Sequence, residues 1–154
     1  MALRAYFDTN VFCRPFDDQT QGEIRAETEA ILQLLRFASE RRIILVGSDL
    51  LLFEAGRLRN REKREGALGA MRQCHTVATA VPIHLELAEA LEAHSPLYGR
   101  DALHVAIAAL EGARYFVTCD RDIVRVADAV QAILDRRGQA TAILTPAGIL
   151  ALLV

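Results

Sequence analysis

Apolar residues along this chain fall into short continuous runs separated by longer stretches where they recur every three or four positions. The short runs are residues 4–8 (RAYFD), 42–47 (RIILVG), 76–81 (TVATAV), 115–118 (YFVT) and 141–144 (TAIL). They are near-continuously apolar rather than alternating, as in strands covered on both faces. Gly47 bounds the second run and Pro82 stops the third.

The longer stretches predict helices. After the first strand the turn formers Pro15, Asp17 and Asp18 predict a loop. Thr20 and Glu23 have capping-box spacing, and a helix is expected from there to about Arg41, with Ile24, Ile31, Leu35 and Ala38 on one face. Ser48 is a good N-cap and Asp49 suits a helix N-terminus. The helix they open carries Leu51, Leu52, Ala55 and Leu58 and should end near Asn60. Further helices are expected over residues 63–73, 83–93, 101–112 and 122–136, with Gly138 ending the last. Pro146 starts a short terminal helix. Strands alternate with helices throughout, which predicts an α/β fold: a three-layer α/β/α sandwich around a parallel sheet of about five strands. Such a sheet binds ligands at the carboxyl ends of its strands.

Composition narrows the class. The 154 residues suit one domain over 1–154, and 52% hydrophobic content supports a sizeable core. No apolar run approaches the roughly 18 residues of a membrane span. The opening MALRAYFDTN leaves no room for a signal-peptide core, so a cytoplasmic protein is expected. Cys13, Cys74 and Cys119 are odd in number and far apart, which predicts free thiols rather than a disulfide framework or zinc site. The net charge of −2 announces no nucleic-acid partner, yet of the 18 basic residues all but Lys63 are arginine. Arginine suits bidentate phosphate contacts, and codon bias gives the same count. The densest basic stretch, Arg57 to Arg64, reads equally as a solvated helix face or a phosphate-facing patch.

The acids carry the candidate chemistry. Asp8 ends the first strand, before Thr9 and Asn10, and Asp120 and Asp122 follow the fourth, past Thr118 and Cys119. Glu54 sits between Phe53 and Ala55 on the helix after the second strand. Asp101 opens the apolar helix ALHVAIAAL. Singly, each has an ordinary explanation: a strand-end acid, a helix-start acid, a cap or a solvated helix residue. Jointly, they fall at one edge of one sheet. Converging carboxylates without basic partners repel one another, and a divalent cation relieves the repulsion. Oxygen donors select Mg²⁺ or Mn²⁺. The absence of His or Cys, apart from His104 and Cys119, disfavours zinc. His104 shares the face of Asp101 but reads first as a core histidine.

Four segments, YFDTNVF, SDLLLFEAGRL, GRDALHVAIAALEGARYFVTCDRDI and TAILTPAGIL, stand in the order found in PIN domains, and the chain resembles that family over essentially its whole length. The resemblance implies a Mg²⁺- or Mn²⁺-dependent ribonuclease acting on single-stranded RNA. It points to Asp8, Glu54, Asp101 and Asp120 as catalytic, metal-holding acids, with Asp122 as a fifth ligand and Thr9, Asn10 and Thr118 in support. Many family members are toxins paired with an antitoxin, and PIN-like proteins commonly form homodimers. The extended loop at residues 13–21 is longer than in many members. Arg14, Arg100 and Arg121, next to the site segments, are candidate contacts for substrate phosphates or partners of the acids. Two other readings compete. An aspartate-nucleophile phosphatase would need a second Asp where Asn10 stands, and Lys63 is in the wrong place for it. A non-catalytic RNA-binding or interaction module on the same fold would have no use for the full acid set.

Overall fold

The computed structural model describes residues 2–154. Its core is a five-stranded, wholly parallel sheet: β1 (Leu3–Phe7), β2 (Ile43–Ser48), β3 (Thr76–Ala78), β4 (Tyr115–Val117) and β5 (Ala142–Leu144). The spatial order is β3-β2-β1-β4-β5. Connections therefore run one way from β1 and the other way from β4, and the sheet has its switch point between those two strands. A crevice opens there at the carboxyl edge, because the loops leaving β1 and β4 diverge to opposite faces.

Nine α-helices among the described residues cover the sheet: α1 (Thr9–Cys13), α2 (Gly22–Ser39), α3 (Asp49–Gly56), α4 (Arg61–Met71), α5 (Pro82–His94), α6 (Gly99–Leu110), α7 (Arg121–Arg125), α8 (Ala127–Arg136) and α9 (Pro146–Leu153). The α/β/α architecture expected from the pattern is the one observed. Helix α6 buries Ala102, Val105, Ala106, Ile107, Ala108 and Ala109; its small side chains let it lie close against its neighbours. Its far end sits at the amino edge of the sheet, where Arg4 of β1 donates to the carbonyls of Glu111 and Gly112. Gly112 closes that turn at φ +79, which a β-carbon would oppose. The start of α6, with Asp101, is thereby carried to the carboxyl edge.

Several local expectations fail for identifiable reasons. The stretch after β1 is not a plain loop: it forms α1 and then a 3-10 turn at Arg14–Phe16. Asp8 and Pro15 promote these turns from outside the apolar pattern. The capping box at Thr20 does not form. Its hydroxyl donates to Asp18 at 2.7 Å, and Gln21 caps α2 without a side-chain bond. Helix α2 ends at Ser39, and Arg41 turns the chain at φ 57. The helix expected to reach Asn60 stops at Gly56, because Asn60 is itself the N-cap of α4, accepting from Lys63 N. Strand β3 is only three residues long, and Asp49 ties down the chain beyond it through the amide of Ala80. The helix expected over 122–136 divides at Val126, and its N-cap is Asp120, not Asp122. No helix of the described residues is long and apolar enough to cross a membrane.

Candidate functional site

Asp8 follows β1 directly and is only 5% exposed. Burying a carboxylate is tolerable only with donors around it, and three are present. Its Oδ1 accepts from the Thr9 amide at 2.8 Å; its Oδ2 accepts from Asn10 Nδ2 at 3.0 Å and Thr118 Oγ1 at 2.8 Å. Thr118 lies just past β4, the strand beside β1, and is wholly buried. Its hydroxyl oxygen also accepts from Asn10 Nδ2 at 3.1 Å and from the Asp120 amide at 3.0 Å. Asn10 Oδ1 accepts from the Cys119 amide at 2.9 Å. The two loops at the switch point are thus stitched together by Asp8, Asn10 and Thr118. Even so, burial outweighs His104 and these bonds and raises the Asp8 carboxyl above its ordinary value.

Glu54, on α3, is a different case. Its Oε1 accepts from Thr9 Oγ1 at 2.5 Å and faces His104 Nε2 at 2.5 Å; its Oε2 lies 3.2 Å from Arg100 Nε. Burial pushes its carboxyl up, but His104, Thr9 and Arg100 together hold it below the ordinary range. The expectation that the acids converge without basic partners is therefore wrong for Glu54. His104 is buried, as a core histidine should be, yet it is bonded to this acid. The Asp101–His104 spacing was the available signal; only the fold shows that His104 turns to Glu54.

Asp101 has no hydrogen-bond or ion-pair partner among the described residues. Burial, then the charges of Asp8 and Asp120, push its carboxyl up to about 6. Asp120 caps α7, its Oδ1 accepting from the Asp122 amide at 2.8 Å. Asp122 is exposed and paired with Arg125 at 2.9 Å.

These groups line two adjoining depressions that share Asp101. One is lined by Asp8, Thr9, Asn10, Glu54, Arg57, Lys63 and Arg100 among others, the second by Tyr98, Asp120, Asp122 and Arg125. Of the three arginines singled out by position, only Arg100 lines either depression. Arg14 is tied to Asp17 and Glu27, and Arg121 pairs with Glu23 beside a separate ≈ 530 Å³ cavity. Of the basic stretch Arg57 to Arg64, Arg57 and Lys63 line the first depression. Lys63 lies on the rim near Asp8, held by Asp17 at 2.6 Å, because α4 folds back over α1 and α3. Among the described residues no three His, Cys, Asp or Glu side chains stand together closely enough to hold a metal ion as they are placed. The donor set nevertheless fits a hard divalent cation: its free acceptors are carboxylate oxygens, and the influence of His104 on Asp101 is outweighed by burial and by the charges of Asp8 and Asp120.

Comparison with known proteins identifies the family and the fold. The family model described as PIN domain matches residues 5–129. Among solved structures, the chain is similar to one in the crystal structure of VapBC2 from Rickettsia felis bound to a DNA fragment from their promoter. The TM-score is 0.56 at 13% identity, over 93% of this chain and 98% of that one. At that identity the likeness is one of fold. No curated protein matches the chain.

Proposed function

From the premise that this chain belongs to the PIN-domain family, whose members are generally nucleases, we propose that it is a divalent-metal-dependent endoribonuclease cutting single-stranded RNA, folded as one unit over 1–154 and working in the cytoplasm. The observation that carries this reading is Asp101: a half-buried acid without a protein partner, pushed up to about 6 by burial, Asp8 and Asp120 at the strand switch point. A carboxylate left in that state favours a bound cation.

Asp8, Asp101 and Asp120 would hold Mg²⁺ or Mn²⁺, with Glu54 joining from the Arg100 side and Asp122 further out. When bound, such a cation acidifies water and offsets charge on a phosphodiester. The remaining steps belong to the chain. Thr9, Asn10 and Thr118 hold Asp8 in place. Arg57, Lys63 and Arg100 line the depression beside the acids and would meet the phosphates of the strand, which carry one charge per nucleotide. Tyr98, 77% exposed on the rim of the second depression, offers a ring for an unpaired base, worth about 1–3 kcal/mol by stacking. A duplex could not use it.

The test is cleavage of a single-stranded oligoribonucleotide. We expect endonucleolytic products with Mn²⁺, none with chelator, and none from an Asp101→Asn protein. Binding of the strand without cleavage under Mn²⁺ would overturn the enzyme reading in favour of an RNA-binding module.

Two partners follow from the same reading: a cognate antitoxin, as for toxin members of the family, and a second copy of the chain. Leu52 and Phe53 of α3, Val77 of the edge strand β3, and Val81 and Ile83 around the start of α5 are all exposed large apolar residues. Light scattering should report a homodimer, and Phe53→Glu should shift it to monomer. A monomeric wild-type protein at working concentrations would remove the dimer and leave the nuclease reading in place.

A further inference from the structure

Behind Glu54 stands a chain of side chains that the proposed chemistry leaves unused. Tyr6 of β1, Ser48 at the end of β2 and His104 of α6 are 0%, 1% and 1% exposed. The Tyr6 hydroxyl lies 2.6 Å from Ser48 Oγ and 2.6 Å from His104 Nδ1, and His104 Nε2 lies 2.5 Å from Glu54 Oε1. Ser48 Oγ already accepts from the Leu51 amide at 3.2 Å, so its own hydrogen is free for Tyr6. Tyr6 then donates to Nδ1, and Nε2–H donates to Glu54. With the hydrogens so assigned, every member of the chain is satisfied in one direction. The Tyr6 ring is stacked on Phe116 in the middle of the sheet, centroids 5.7 Å apart, so the far end of the chain is anchored in the core.

The effect on Glu54 is specific. With Thr9 and His104 both on Oε1, that oxygen has its two acceptor positions filled from inside the protein. Oε2 is left, paired only with Arg100, whose side chain is 59% exposed. Packing alone does not call for this arrangement. Apolar side chains of the same shape would fill the core equally well, without the cost of desolvating four polar groups. What the polar chain adds is a fixed orientation for one carboxylate.

We propose that His104 is a positioning residue for Glu54: backed by Tyr6 and Ser48, it locks the carboxylate so that Oε2 alone is presented to a bound cation. The inference rests on the metal-dependent reading above.

The experiment is Mn²⁺ titration calorimetry on the intact protein, beside a thermal melt. His104→Asn keeps a polar atom near Nδ1 but withdraws the donor from Glu54; His104→Gln returns an amide donor close to the Nε2 position. We expect His104→Asn to weaken Mn²⁺ about 10-fold or more, as loss of a ligand's supporting hydrogen bond does, and His104→Gln to recover most of it. Tyr6→Phe should fall between them. In a Glu54→Gln background His104→Asn should cost nothing further, since the two act as one unit. Unchanged Mn²⁺ affinity in a folded His104→Asn protein, or a loss that simply adds to that of Glu54→Gln, would overturn the proposal. Should His104→Asn fail to fold, Tyr6→Phe decides in the same way, because it removes one oxygen from a ring the core still holds. A wild-type protein that binds no Mn²⁺ at all sinks the metal-dependent reading first, and this inference with it.

Discussion

Asp101→Asn should cut Mn²⁺-dependent cleavage by at least about 100-fold and, without metal, melt above the wild type at neutral pH. Both effects come from removing one charge at constant shape. A ligand worth several kcal/mol to the reacting phosphate corresponds to two or more factors of ten in rate. The stability effect has the opposite sign and a defined pH window. An unfolded aspartate titrates near ~3.9, whereas the folded carboxyl is raised to about 6. Between those values the native state binds more protons than the unfolded chain, so stability falls as pH rises through the window. The penalty is complete above about pH 6 and absent below about pH 4. We expect a gain of about 1–2 kcal/mol for the asparagine protein at pH 7.5, allowing for solvent screening, or roughly 3–6 °C in a domain of this size. The two proteins should converge at pH 4. Millimolar Mn²⁺ should raise the wild-type melt, because the cation binds only the folded state, and leave the variant's melt nearly where it was. Equal melts of the metal-free proteins at pH 7.5 would show that Asp101 is already neutralised and would remove the argument for a cation there.

Thr118→Val should do the reverse, costing about 3 kcal/mol of stability as well as activity. Valine keeps the shape and loses one hydroxyl, but that hydroxyl donates to Asp8 and accepts from Asn10 and from the Asp120 amide at a fully buried position. A hydrogen bond to a charged group contributes about 1.5–3 kcal/mol, and each donor stranded away from water adds a penalty. The melt should fall by roughly 6–12 °C. Cleavage should fall as well, since Asp8 and Asp120 are then no longer held at a fixed separation. Thr118→Ser keeps the hydroxyl and should recover most of both. A Thr118→Val protein that melts like the wild type would show that the β1 and β4 loops are held together by something else.

The contrast between these substitutions shows which parts of the protein are legible in its sequence. The apolar runs at residues 42–47 and 115–118 specify buried parallel strands by themselves, because continuous burial on both faces leaves no polar alternation. Ser48 and Pro146 mark helix starts through purely local bonding. With strands and helices alternating, the α/β/α layering follows, and with it the edge where Asp8, Asp101 and Asp120 belong. These are short-range properties, readable wherever a few neighbouring residues decide the outcome.

What the sequence leaves open depends on residues far apart in the chain. Tyr6, Ser48, Glu54 and His104 meet only because β1 lies beside β2 and α6 crosses behind them. Sequence order therefore presented Glu54 as one more unpaired acid, whereas the fold gives it His104, Thr9 and Arg100. The same holds for Lys63, brought to the rim by the packing of α4, and for Arg14 and Arg121, drawn off to other acids despite their adjacency to the site segments. Local hydrogen bonding is strong enough to write strands, caps and turns into the chain. Which charges neutralise one another is settled by distances of a few ångströms between segments separated by tens of residues, and only the tertiary structure sets those.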